Sequence, residues 1–184
     1  MSARDEYAPA AAFGADVRKE GDKWTLVLVR ELRHSPAKVW SALTDPTQLR
    51  EWAPFDADRN LAATGPAQLT TVGAPTLHVA EGTVKRVEAP TLLEFSWGGN
   101  DMRWKLEPTA SGTRLTLWHD IGRRFVAMGA AGWHICFDVL GHFLDGRPIG
   151  RIVGADAMKF GWQRLYAEYT SQFGADPTSS PATP

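Results

Sequence analysis

Three connections in the middle of the chain are too short to be anything but turns. Glu88-Ala89-Pro90 separates the strand-like run Leu77–Val87 from Leu92–Trp97. Gly98-Gly99-Asn100-Asp101 joins Trp97 to Met102–Glu107, and Thr109-Ala110-Ser111-Gly112 leads into Thr113–His119. Parallel neighbours need a crossover of about a dozen residues or more, so these runs predict four consecutive antiparallel strands.

The flanking segments have different periods. Lys23–Arg33 sets Trp24, Leu26, Leu28 and Leu32 on one side and Thr25, Val27 and Val29 on the other, as in a strand buried on both faces. Ser35-Pro36 then starts a helix: a serine hydroxyl can accept from the first free N–H groups, and proline lacks one that would be unpaired there. Val39, Trp40 and Leu43 mark its inner side. Asp45-Pro46 repeats the device for a short second helix carrying Leu49 and Trp52, stopped by Pro54. Between Asp56 and Val72 apolar alternation is weak, and Gly73-Ala74-Pro75 interrupts it, which predicts short strands or a pocket rim.

After residue 122 the period changes to that of a helix. Ala130, Trp133, Phe137, Leu140 and Leu144 recur at 3–4 spacing over Arg123–Leu144. A last helix, capped by Asp156, carries Met158, Trp162, Leu165 and Tyr169 on one side, with Gly174 after its end. Helices segregated from an antiparallel sheet define an α+β domain, here over residues 23–173. Residues 1–22 read as a loose arm that Phe13 can dock. Residues 174–184, rich in Pro, Ser and Thr, read as a disordered tail.

Composition excludes several classes. A formal charge of −1 argues against a nucleic-acid surface. One cysteine, Cys136, allows no internal disulfide and no multi-cysteine metal site. The first residues lack the basic and apolar regions of a signal peptide, and no apolar run reaches the roughly 18 residues of a membrane helix. The expectation is a cytoplasmic protein, monomer or homodimer, that needs no cofactor. There is no G-x-S-x-G, phosphate-binding loop or dinucleotide fingerprint.

Four stretches together resemble the START-like (SRPBCC) superfamily, and within it the branch named for the activator of the heat-shock-protein-90 ATPase. They are Arg30–Trp52, Gly82–Trp97, Gly112–Asp120 and Ala131–Leu140, with Gly161–Tyr169 as a weaker fifth. The resemblance implies a helix-grip fold, a curved antiparallel sheet around a long C-terminal helix, with a hydrophobic cavity between them. It also implies lipid or other apolar ligands, chemistry on polyketide-like rings, or regulation of partners in stress response.

Strand alternation then assigns the cavity side. Arg114 belongs outside, which turns Leu115, Leu117 and His119 inward and Trp118 outward. Arg103, Lys105 and Glu107 need water, so Met102, Trp104 and Leu106 face in. Phe95 and Trp97 follow by the same rule. The candidate ligand-binding set is therefore Phe95, Trp97, Met102, Trp104, Leu117 and His119 from the sheet, Trp133 and Phe137 from the helix, and Trp52 and Phe55 at the mouth. Gly129 and Gly132 let the helix approach its neighbours, or admit a ligand beside its backbone.

His119 is the polar member of that set. It can hydrogen-bond a ligand carbonyl, act as an acid or base, or simply be satisfied by backbone or a Trp N–H. His134, Asp138 and His142 recur every four residues, and zinc or iron could use such ligands. The column turns away from the apolar face, however, and reads as a solvated His134–Asp138 pair, so no metal is assigned. Cys136, beside no evident base, reads as packing or pocket lining. Three functions are compatible with these residues: binding of a small hydrophobic or aromatic molecule, a cyclase-, dehydratase- or hydrolase-type reaction with His119 as acid or base, and a protein-interaction module.

Overall fold

The computed structural model describes residues 1–174. Its eight strands are β1 (Ala15–Glu20), β2 (Lys23–Leu32), β3 (Phe55–Ala57), β4 (Gly65–Thr71), β5 (His78–Glu88), β6 (Leu92–Trp97), β7 (Asn100–Thr109) and β8 (Gly112–Asp120). They form one sheet in the order β1-β2-β8-β7-β6-β5-β4-β3, antiparallel at every step. The helices are α1 (Pro36–Thr44), α2 (Pro46–Leu49), α3 (Val126–Leu144), α4 (Ala155–Lys159) and α5 (Trp162–Phe173), with a 3-10 turn at Arg123–Phe125 before α3. The sheet curls around α3, giving the α+β helix-grip fold.

Local chemistry sets the helix starts. The Ser35 hydroxyl accepts from the Lys38 N–H at 3.3 Å, and the Asp45 carboxylate accepts from the Thr47 N–H at 2.9 Å; each helix opens with a proline. Trp52 closes this corner. Its indole N–H donates to the Ala42 carbonyl at 2.9 Å while the ring is fully buried. A buried indole needs that partner, because an unpaired N–H costs about 1–3 kcal/mol.

The inner face of the sheet follows the alternation. Met102, Trp104 and Leu106 on β7, and Leu115, Leu117 and His119 on β8, are all buried; Trp104 and His119 meet Trp133 of α3, and α1 also packs on these two strands. Burying one such apolar side chain contributes about 1.5–3 kcal/mol. Along β2 the same face holds Leu26, Leu28 and Leu32, but also Arg30, which is 6% exposed. Trp118 is half-buried on the outer face, under the Arg103 guanidinium at 5.4 Å.

Several segments differ from expectation. Residues 1–22 are not a loose arm: Ala15–Glu20 pair with β2, and the segment before them is tied to α3 and α5. The last helix is two. Gly161, at φ +85, turns the chain between α4 and α5, and Gly154 rather than Asp156 occupies the position before α4. The tail read over 174–184 lies, beyond Gly174, outside the described residues.

Candidate functional site

α3 is a different surface along its length. Its C-terminal half carries Phe137, Leu140 and Leu144 into the core. Toward its start, Met128, Gly129, Gly132, Trp133 and Cys136 recur at 3–4 spacing and line a cavity of about 760 Å³. The opposite wall comes from the sheet, with Trp97 at the end of β6, His119 on β8, and Thr71, Val79 and Ala80 on β4 and β5. A third wall is the α3–α5 connection, contributing Ile152, Val153, Ala157 and Met158, with Trp162 at the start of α5. Gly132 helps to keep this space open: a Cβ there would meet no atom within 4 Å.

The third wall up to Gly154 is irregular backbone, so side chains must hold it. Arg4 Nη1 donates to the carbonyls of Ile149, Gly150 and Arg151, each at 3.0 Å, and Arg4 Nη2 pairs with Asp156 at 3.2 Å. From the other side, Arg151 pairs with Asp56 at 2.6 Å and donates to the Leu49 carbonyl at 3.2 Å. Gly154, at φ +58, brings its backbone against that of Gly73 in the β4–β5 connection, leaving no room for a Cβ.

Three of the predicted residues line the cavity: Trp97, His119 and Trp133. Their rings interlock. Trp97 stacks near-parallel on His119 (6.1 Å, 23°), and Trp133 meets both edge-on, at 6.3 Å from Trp97 and 5.9 Å from His119. Such pairs contribute about 0.5–1.5 kcal/mol each beyond burial. The other seven lie elsewhere. Phe95, Met102, Trp104, Leu117 and Phe137 are buried core outside the lining. Trp52 and Phe55, expected at the mouth, are instead 0% and 1% exposed. The reason is shape: these side chains pack with the C-terminal half of α3, and the apolar cavity lies toward its N-terminal end. The mouth is formed by exposed Val79, Phe125, Met128 and Met158.

Electrostatically the site is quiet. Among the lining residues the ionisable side chains are His78, His119 and Cys136. Burial pushes the Cys136 thiol up to about 12, so it is no nucleophile at neutral pH. Burial pushes His119 down to about 4, keeping the imidazole neutral. Its Nδ1 accepts the Trp133 indole N–H at 3.1 Å, while Nε2 is buried with no partner among the described residues.

The His134 column is a separate place: His134 Nε2 and Asp138 do lie together, at 3.6 Å, but the pair is not solvated. His134 is fully buried because the N-terminal segment covers it, with the Phe13 ring edge-on at 5.3 Å. His134 Nδ1 lies 2.8 Å from the Tyr169 hydroxyl, and Asp138 accepts from the Tyr7 hydroxyl at 2.7 Å. No group of three or more His, Cys, Asp or Glu with metal-binding placement occurs among the described residues.

A curled sheet gripping a long helix, with an apolar cavity left at one end, defines a helix-grip protein. The chain belongs to the family described as Activator of Hsp90 ATPase homolog 1-like protein, whose model matches residues 33–171. No curated protein matches the chain. Among solved structures it is similar to CalU16 from Micromonospora echinospora (22% identity, TM-score 0.61, covering 90% of this chain and 98% of that one). It is also similar to EF2215 from Enterococcus faecalis, a conserved protein of unknown function (15%, TM-score 0.65, 86% and 89%). A third likeness is to MLL2253 from Mesorhizobium loti (27%, TM-score 0.58, 66% and 97%). These likenesses establish the fold. No helix among the described residues is long and apolar enough to cross a membrane.

Proposed function

We propose that this protein binds a small hydrophobic molecule in the cavity between α3, the open end of the sheet and the α3–α5 connection. The observation that carries the reading is the cavity itself. At about 760 Å³ it falls in the roughly 300–1,000 Å³ range of ligand sites, and its wall is apolar and aromatic with few polar groups. The exposed apolar side chains of Val79, Phe125, Met128 and Met158 surround the opening, where an apolar ligand enters.

An acid–base reaction centred on His119 has less support. General acid–base work is favoured by a pKa near the working pH, whereas burial holds this ring neutral. Its Nδ1 lone pair is engaged by Trp133, and Cys136 is neutral. The family membership suits a ligand-binding or regulatory module equally, and the cavity favours the former.

Native mass spectrometry and tryptophan-fluorescence titration with fatty acids, sterols and planar aromatic ketones test the reading. Saturable one-to-one binding of at least one class is expected. Failure of every class to bind, with the protein folded, would contradict it.

A further inference from the structure

Trp133 dictates which nitrogen of His119 carries the proton. An indole N–H can only donate, so the ring nitrogen 3.1 Å away must present a lone pair. In the neutral imidazole the proton then sits on Nε2. Nε2 is the ring nitrogen farther from the backbone. It has no partner among the described residues and lies just beneath the cavity surface, on a side chain that is 4% exposed in the cavity wall, so a small turn of the ring brings it to a ligand. A buried donor without an acceptor costs about 1–3 kcal/mol, so a ligand that supplies an acceptor recovers what the free protein lacks. Trp97 stacked on the imidazole offers a flat apolar surface beside that donor.

From this geometry we infer that His119 Nε2–H is the specificity-determining contact of the cavity, selecting planar apolar molecules that carry a neutral oxygen acceptor such as a ketone. The inference rests on the ligand-binding reading above but goes further. It assigns the donor and the tautomer, and it requires discrimination between two ligands of the same shape.

The test uses 2-acetylnaphthalene and 2-isopropenylnaphthalene, in which C=O is replaced by C=CH₂. Equilibrium dialysis gives the ratio of their dissociation constants for the wild type and for His119→Phe. Comparing the two ratios cancels the ligands' different affinities for water. The wild type is expected to favour the ketone about fivefold or more relative to His119→Phe, a range set by the worth of one hydrogen bond. Trp133→Phe, which removes the donor that fixes the tautomer, should lower the preference in the same direction and serves if His119→Phe does not fold. Side-chain ¹H–¹⁵N spectra of the wild type should show His119 protonated at Nε2. Saturable binding of both probes with an unchanged ratio, or a proton on Nδ1, overturns the acceptor selectivity and leaves the cavity reading standing. Binding of neither probe to the folded wild type overturns the selectivity for planar ketones, and the cavity reading falls with it only if fatty acids and sterols fail to bind as well.

Discussion

The imidazole of His119 lies against the indole of Trp133, accepting its N–H at 3.1 Å while burial keeps the ring neutral down to about pH 4. An unfolded histidine titrates near 6.5, so between these values the unfolded chain binds more protons than the folded one. His119 therefore contributes stability in full above about pH 6.5, and that stability is lost as the pH falls toward 4. The loss is on the order of 3 kcal/mol for this group. His134, lowered to about 4 chiefly by burial, acts with the same sign. Asp138, raised chiefly by burial, acts with the opposite sign as its carboxyl takes up a proton earlier in the fold. The expected outcome is a thermal midpoint that falls between pH 7 and pH 4, followed by circular dichroism, with a shallower fall in His119→Phe. Identical profiles for the two proteins would contradict it.

Gly132 is a helical residue facing empty cavity. Gly132→Ala should stabilise the protein by about 0.5–1 kcal/mol, because alanine restricts the unfolded chain and suits a helix interior. Urea denaturation checks this. A loss of stability would mean that the position is not open as described.

Gly154 and Gly73 touch through their backbones, and both have positive φ. Gly154→Ala adds a collision with backbone to an unfavourable left-handed conformation. It should cost more than about 1 kcal/mol and speed amide exchange in residues 149–158 and 72–79. Wild-type stability and exchange would rule out that contact as the support of the cavity wall.

Arg30 is a buried cation with no carboxylate partner among the described residues. Nη1 donates to the carbonyls of Phe13 (3.2 Å) and Val29 (2.9 Å), the guanidinium sits 4.1 Å from the Phe13 ring centroid, and Nε and Nη2 are unpaired. Replacing a buried charge with an apolar side chain of similar size is often neutral or stabilising. Arg30→Met should thus leave global stability within about 1–2 kcal/mol while releasing the N-terminal segment. Hydrogen exchange should show faster amides over residues 7–14. Unchanged protection there would contradict the assigned tether.

Much of this fold is written in local signals. Turn lengths gave antiparallel pairing, and single charged residues such as Arg103 and Arg114 fixed which face of β7 and β8 turns inward. Alternation along β2 also placed Arg30 inside; the signal was present, but a charge at a core position goes against composition. Trp97, His119 and Trp133 were identifiable as a group because two strand ends and one helix stripe converge on them. The cavity's extent was not. Phe95, Trp104 and Phe137 have the same patterns as its wall, and only the curl of the sheet decides which aromatics pack together and which border space. The Met128, Gly129, Gly132, Trp133 and Cys136 spacing does carry a helical signal. Trp52 has the sequence setting of a gate, a tryptophan near a loop, whereas in the fold its N–H is committed to Ala42. The burial of His134 has no local signal, because its cover comes from residues 7–13, more than a hundred positions away in the chain.

Whether the cavity is a binding site turns on filling it without unfolding the protein. Gly132→Leu places a side chain into the open space beside Trp133 and Cys136. Calorimetric titration of wild type and Gly132→Leu with 2-acetylnaphthalene, both checked for native circular dichroism, is the decisive measurement. Saturable one-to-one binding to the wild type, weakened at least tenfold in Gly132→Leu, is expected. Equal binding by both proteins would show that the cavity is not where an apolar ligand is held.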